Sequence, residues 1–236
     1  MSNKIDICLS PSLLPHYQLE GRTAVIVDIL RATSCMVAGI ANGVRRILPV
    51  ATIEECRLLG NEGYICAGER NGITVEGFAF GNSPFSYLNP DLNGKQIAMT
   101  TTNGTQAILQ ANRAEQILIG AFLNLSVLAQ YLQSQPNSVT VVCAGWKGKF
   151  SMEDTLFAGA LATALPNFEP EDDSVLAATE LYTQHKHQLL EFLKHSAHYK
   201  RLNHLETADD MPLCLTTDQY PVIPVLAERH ISKLSL

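Results

Sequence analysis

An aspartate and an arginine three residues apart, Asp28 and Arg31, lie in VIVDILRATS (25–34), directly after a block of β-branched and aliphatic residues. At the mouth of a strand such a pair sets a hard oxygen ligand beside a guanidinium clamp for an anion. The same pair would serve equally as a capping aspartate with an arginine salt bridge. Gly68-Glu69-Arg70-Asn71-Gly72 again puts a carboxylate and a guanidinium side by side, and Gly81-Asn82-Ser83-Pro84 is a polar turn. Thr100-Thr101-Thr102-Asn103-Gly104-Thr105 combines hydroxyls with a glycine where a strand passes into a helix. Helix N-termini expose free N–H groups and partial positive charge, which suits a phosphate. Gly145-Trp146-Lys147-Gly148-Lys149 runs on to Ser151, Glu153 and Asp154, two adjacent carboxylates that open a helix. They are dipole partners at the least, and ligands of the kind Mg²⁺ takes at the most.

These groups need a frame. TAVIVDIL (23–30) is nearly all apolar, as expected of a strand covered on both faces. Further strands are expected at 44–50, 64–67, 96–100, 116–121 and 139–144, with helices at 32–42, 52–59, 105–110, 126–133 and 154–165. Strands alternating with helices imply a three-layer α/β/α fold with a mainly parallel sheet. Ligands of such sheets bind beyond the carboxyl ends of the strands, and each polar site above follows a strand. Residues 1–166 form the α/β core in this reading. After Pro166 an acidic linker, NFEPEDD (167–173), leads into a helical stretch and a proline-bearing, mostly extended tail. Segment 167–236 is expected to pack on the core as one unit and, with the polar insertion 68–93, to close over the carboxyl edge.

Composition excludes several classes. The 236 residues are 46% hydrophobic and 17% charged, too apolar for a disordered chain. Lys and Arg number 17 against 23 Asp and Glu, a net charge of −6, so no basic face for nucleic acid is expected. The N-terminus has no continuous apolar run of the signal-peptide type, and Ile117–Leu132 is too short and polar to span a bilayer. A cytoplasmic protein is expected, with a homodimer left open. The six cysteines form no C-x-x-C pair, so they read as reduced structural thiols.

Familiar catalytic signatures are absent. There is no G-x-G-x-x-G, no P-loop spacing around Lys149 and no G-x-S-x-G elbow. Cys143 is followed six residues on by Lys149 rather than the arginine of a thiol phosphatase loop, and Asp28 lacks the second aspartate of a D-x-D motif. His185, His187, His195 and His198 show nothing like H-E-x-x-H and are expected at the surface or facing a partner.

Taken in order, VIVDILRATS, GER (68–70), GNSP (81–84), TTTNGT (100–105), CAGWKGKFSMED (143–154) and Ala208-Asp209 resemble the 2-phosphosulfolactate phosphatases over essentially the whole chain. The resemblance implies a Mg²⁺-dependent hydrolase of coenzyme M biosynthesis that converts 2-phospho-3-sulfolactate to 3-sulfolactate and phosphate. It implies a catalytic set of Asp28, Arg31, Glu153 and Asp154, with Asp28, Glu69, Glu153 and Asp154 holding Mg²⁺ or orienting water. Arg31, Thr101, Thr102, Asn103 and Gly104 would bind phosphate, with Asn82 and Ser83 beside them, and Arg70 or Lys147 would meet the sulfonate or carboxylate. Trp146, Lys147 and Lys149 depart from the smaller or acidic residues common there in the family. Direct attack by water is the expected route, with a phosphoenzyme through Asp28 or Cys143 left open. Two other readings stand beside this one: a phosphatase of another small phosphorylated hydroxy acid, and a non-catalytic anion-binding protein.

Overall fold

All five residues of Thr23–Val27 are buried, so this strand has to lie where both faces of a sheet are covered. In the computed structural model, which describes residues 2–203 and 209–235, it does so. The strands are β1 (Lys4–Cys8), β2 (Thr23–Val27), β3 (Arg46–Pro49), β4 (Ile65–Arg70), β5 (Ile73–Thr74), β6 (Gln96–Thr100), β7 (Gln116–Gly120), β8 (Val139–Cys143), β9 (Glu169–Pro170), β10 (Pro224–Ala227) and β11 (His230–Lys233). They form one sheet in the order β5-β4-β6-β3-β11-β10-β7-β2-β8-β1-β9. Between them run helices α1 (Ala32–Ala41), α2 (Ile53–Asn61), α3 (Pro84–Tyr87), α4 (Gly104–Gln110), α5 (Leu125–Gln133), α6 (Met152–Thr163), α7 (Asp173–His185), α8 (Leu189–Leu193), α9 (Ala197–Asn203) and α10 (Asp210–Cys214). The fold is therefore α/β with a mainly parallel sheet flanked by helices.

The sheet holds two parallel blocks, β4-β6-β3 and β7-β2-β8-β1-β9. An antiparallel hairpin, β10–β11, joins them by pairing with β7 on one side and β3 on the other. This corrects the expected closing role for the last part of segment 167–236, because residues 224–233 form a hairpin in the middle of the sheet. One hydrophobic cluster runs from Ile5 through Val25 and Leu118 to Ile231, on both sides of Pro166. Strand β1 was not expected either. Asp6 interrupts its apolar pattern, and the aspartate is accommodated by Arg22 at 3.3 Å. Ala208, the first residue of the late Ala-Asp pair, lies outside the described residues.

Helix α6 is buried along most of its length and packs against α7 through Gly159. A Cβ there would fall 2.0 Å from the Ala178 carbonyl oxygen, so the helices can approach this closely only without a side chain. Among the described residues no helix is long and apolar enough to cross a membrane. Gly159→Ala should force the two backbones apart and cost about 1–3 kcal/mol, as overpacking does. For a chain of this size that lowers Tm by roughly 2–12 °C in a thermal melt.

Candidate active site

Each parallel strand delivers its following loop to one edge of the sheet. The loops after β2, β5, β6 and β8, with the end of β4 and its following turn, bring Asp28, Leu30, Arg31, Glu69, Asn71, Asn82, Asn103 and Trp146 to one small pocket. Helix α9 completes its wall with His198, Arg201 and Leu202. Sequence reasoning anticipated most of the first group and none of the second. His198 and Arg201 lie in a stretch whose only signal was a pair of histidines on one helix face.

Asp28 follows β2, and its Oδ1 accepts from Ala32 N–H at 3.3 Å. Burial pushes its carboxyl up to about 6, against the pull of the nearby His198. Gly104 lies against this aspartate, since a Cβ there would be 2.7 Å from Asp28 Oδ2 and 2.6 Å from Ala32 Cβ. The glycine is thus required by a close approach of protein to protein.

Arg31 is buried and ion-paired to Asp210, whose Oδ1 also accepts from Ser83 Oγ at 2.6 Å. Ser83 therefore reaches the site through Asp210. Asn82 Oδ1, in contrast, is buried in the pocket and has no hydrogen-bond partner among the described residues.

The four carboxylates expected to share a metal do not converge, and among the described residues no three His, Cys, Asp or Glu side chains form a metal-binding group. The hydrogen bonds give the reason. Asp154 spends both oxygens on backbone N–H groups, Ile29 at 2.9 Å and Gly145 at 3.0 Å, and so ties the loop after β2 to the loop after β8. Burial, reinforced by Glu153 and Asp28, raises its carboxyl well above the usual range. Glu69 accepts from Thr102 N–H at 2.6 Å, Gly72 N–H at 2.6 Å and Thr102 Oγ1 at 3.1 Å. Glu153 faces Nδ1 of His198. Burial alone would raise the Glu153 carboxyl, but the His198 imidazole and a backbone N–H outweigh it and hold it below the usual range.

The threonine turn also departs from expectation. Thr101 and Thr105 exchange hydrogen bonds at 3.1 Å, backbone N–H to hydroxyl in both directions, and the Thr102 N–H belongs to Glu69. Those donors hold the turn together; from this run Asn103 is the residue that lines the pocket, where its Oδ1 also accepts from Lys147 N–H at 3.1 Å. Arg70 donates to Thr100 Oγ1 of neighbouring β6 at 2.8 Å and to the Glu69 carbonyl of its own strand at 2.7 Å, so its guanidinium is committed to the sheet. The Lys147 side chain is exposed, with Nζ 5.3 Å from the Trp146 ring centroid. Cys143 is fully buried and its thiol is pushed well above its ordinary value by burial, which makes it a poor nucleophile.

What remains is a pocket with a buried carboxylate (Asp28), two guanidinia (Arg31 and Arg201), three side-chain amides and a histidine backed by a carboxylate. It suits a small, multiply charged anion and proton transfer to it. Gly104→Ala should push the Asp28 carboxylate out of place. The expected result is at least a tenfold fall in turnover of the enzyme's substrate, with about 1–3 kcal/mol lost in urea denaturation.

The chain matches the family model described as 2-phosphosulpholactate phosphatase over residues 8–229. It is 41% identical over 214 residues to a protein of Thermotoga maritima, covering 91% of this chain and 93% of that one. It is 37% identical over 215 residues to one of Caldanaerobacter subterraneus (88% and 89% covered) and 34% identical over 237 residues to one of Clostridium novyi (98% and 99%). All three relatives bear the name probable 2-phosphosulfolactate phosphatase. With a match spanning nearly its whole length, the chain belongs to the 2-phosphosulfolactate phosphatase family.

Proposed function

We propose that the protein hydrolyses 2-phospho-3-sulfolactate to 3-sulfolactate and inorganic phosphate, with Mg²⁺ as cofactor. The observation that carries this reading is the presence of two guanidinia and a buried carboxylate in one pocket. A phosphate monoester dianion repels a nucleophile until its charge is offset. Arg31, fixed in direction by Asp210, does so at the phosphoryl oxygens, and the Asn103 amide adds a donor.

Water attacks phosphorus, the bond between phosphorus and the ester oxygen breaks, and that oxygen leaves as an alkoxide needing a proton. His198 is placed to provide it. Its Nδ1 is turned to Glu153, which orients the ring and leaves Nε2 for the pocket. Asp28, in the same pocket, orients the attacking water.

The donor set fits Mg²⁺ in part. This ion takes one or two carboxylates with neutral oxygens and water. Asp28 and the unpartnered Asn82 amide oxygen are of that kind and would hold it, whereas Asp154 is saturated by backbone donors. When bound, Mg²⁺ supplies positive charge against the phosphoryl oxygens.

Purified protein should release phosphate from 2-phospho-3-sulfolactate with Mg²⁺, stop on addition of a chelator and recover when Mg²⁺ is restored. Asp28→Asn and His198→Ala should each lower kcat by about 10²–10⁴ while leaving the circular dichroism spectrum unchanged. Undiminished release in chelator would remove the metal from the account. Much faster release from an unsulfonated phosphohydroxy acid would move the assignment to that substrate.

A further inference from the structure

We infer that Arg201, held against the face of Trp146, is the residue that recognises the sulfonate end of the substrate. The inference rests on the substrate reading above and assigns a specificity role to a residue of the same pocket.

The Arg201 guanidinium carbon lies 3.5 Å from the Trp146 ring centroid, a stacked cation–π contact. Its Nη2 is buried yet has no hydrogen-bond partner among the described residues. A buried guanidinium N–H without an acceptor is a costly arrangement unless a ligand supplies one. With the guanidinium held over the indole, Nη2 is left to donate to a ligand oxygen, which a sulfonate supplies. The pocket's other guanidinium, Arg31, is already turned to Asp210 and serves the phosphate.

Position gives a second argument. Trp146, His198 and Arg201 are shared with an adjoining cavity of about 290 Å³, also lined by Phe150, Met152 and Ala197. Arg201 therefore stands at the boundary, where the arm of a substrate extending away from Arg31 finds room. Neither Arg70, bonded to Thr100 and Glu69, nor the exposed Lys147 lines either space.

Trp146 is the only tryptophan in the chain, so its fluorescence reports on this contact directly. The test measures kcat/KM for 2-phospho-3-sulfolactate and for 2-phospholactate, which keeps the carboxylate and lacks the sulfonate. It also follows Trp146 emission during titration with 3-sulfolactate. In Arg201→Met the preference for the sulfonated substrate should fall roughly 30-fold or more, the size of one lost charged hydrogen bond. The response to 3-sulfolactate should disappear, while inhibition by inorganic phosphate shifts by only a few fold. Arg201→Lys should recover part of the preference, since it restores charge without the fork. Equal losses on both substrates, or an unchanged 3-sulfolactate response in the methionine variant, would overturn the inference. If wild-type protein fails to hydrolyse the sulfonated ester, the substrate reading falls, and the fluorescence titration still decides whether Arg201 binds a sulfonate.

Discussion

Arg31 has only 3% of its side chain exposed, and a guanidinium cannot lose its proton to escape burial. It needs a carboxylate, and the one it has, Asp210, is 179 residues away in sequence. That pairing brings α10 back over the carboxyl ends of the parallel strands. Ser83, which donates to the other Asp210 oxygen, fixes the loop before α3 to the same point. Helix α9, of the same returning segment, lies on the pocket wall with His198 and Arg201. The chemistry assigned to the site thus depends on an ion pair that holds distant parts of the chain together.

A second constraint follows from burying so much acid in one place. Glu69, Glu153 and Asp154 would repel one another if each were simply aimed at the pocket. Instead each is directed to a separate partner: Glu69 to the N–H groups of Thr102 and Gly72, Glu153 to His198, Asp154 to Ile29 and Gly145. These bonds join the loops after β2, β4, β6 and β8. Asp28, which also lines the pocket, is the carboxylate proposed above to face the ligand. Adjacent acidic residues at a helix start therefore have divergent roles here, Glu153 as the partner of His198 and Asp154 as a brace between loops.

The parallel part of the fold was legible because its strands are uniform apolar runs punctuated by polar turns. Thr23–Val27 and Val139–Cys143 are buried throughout and read so from residue types alone. The hairpin β10–β11 was not legible. Its two-residue turn, Glu228-Arg229, adopts positive φ at both positions without the Asn or Gly that usually marks such a turn, and Ile231 is the only buried residue of β11. At the site, Asp28 and Arg31 could be found because they sit beside a strand end. Arg201 could not, because its significance lies in the indole of Trp146, 55 positions earlier, and in an unsatisfied Nη2. Residue types near strands can be read locally, whereas contacts supplied by a returning segment exist only after folding.

The central claim is that Arg31 and Asp210 form one unit that organises the pocket. A double-mutant cycle tests it most directly, with stability measured by urea denaturation for Asp210→Asn, Arg31→Met and the pair. Asp210→Asn keeps an acceptor for Ser83 but strands a buried charge, so it should cost about 3–5 kcal/mol. The double variant removes that charge as well, and its loss should be well below the sum of the two single losses. Strictly additive losses would contradict the account, because they would mean that the two side chains stabilise the fold independently.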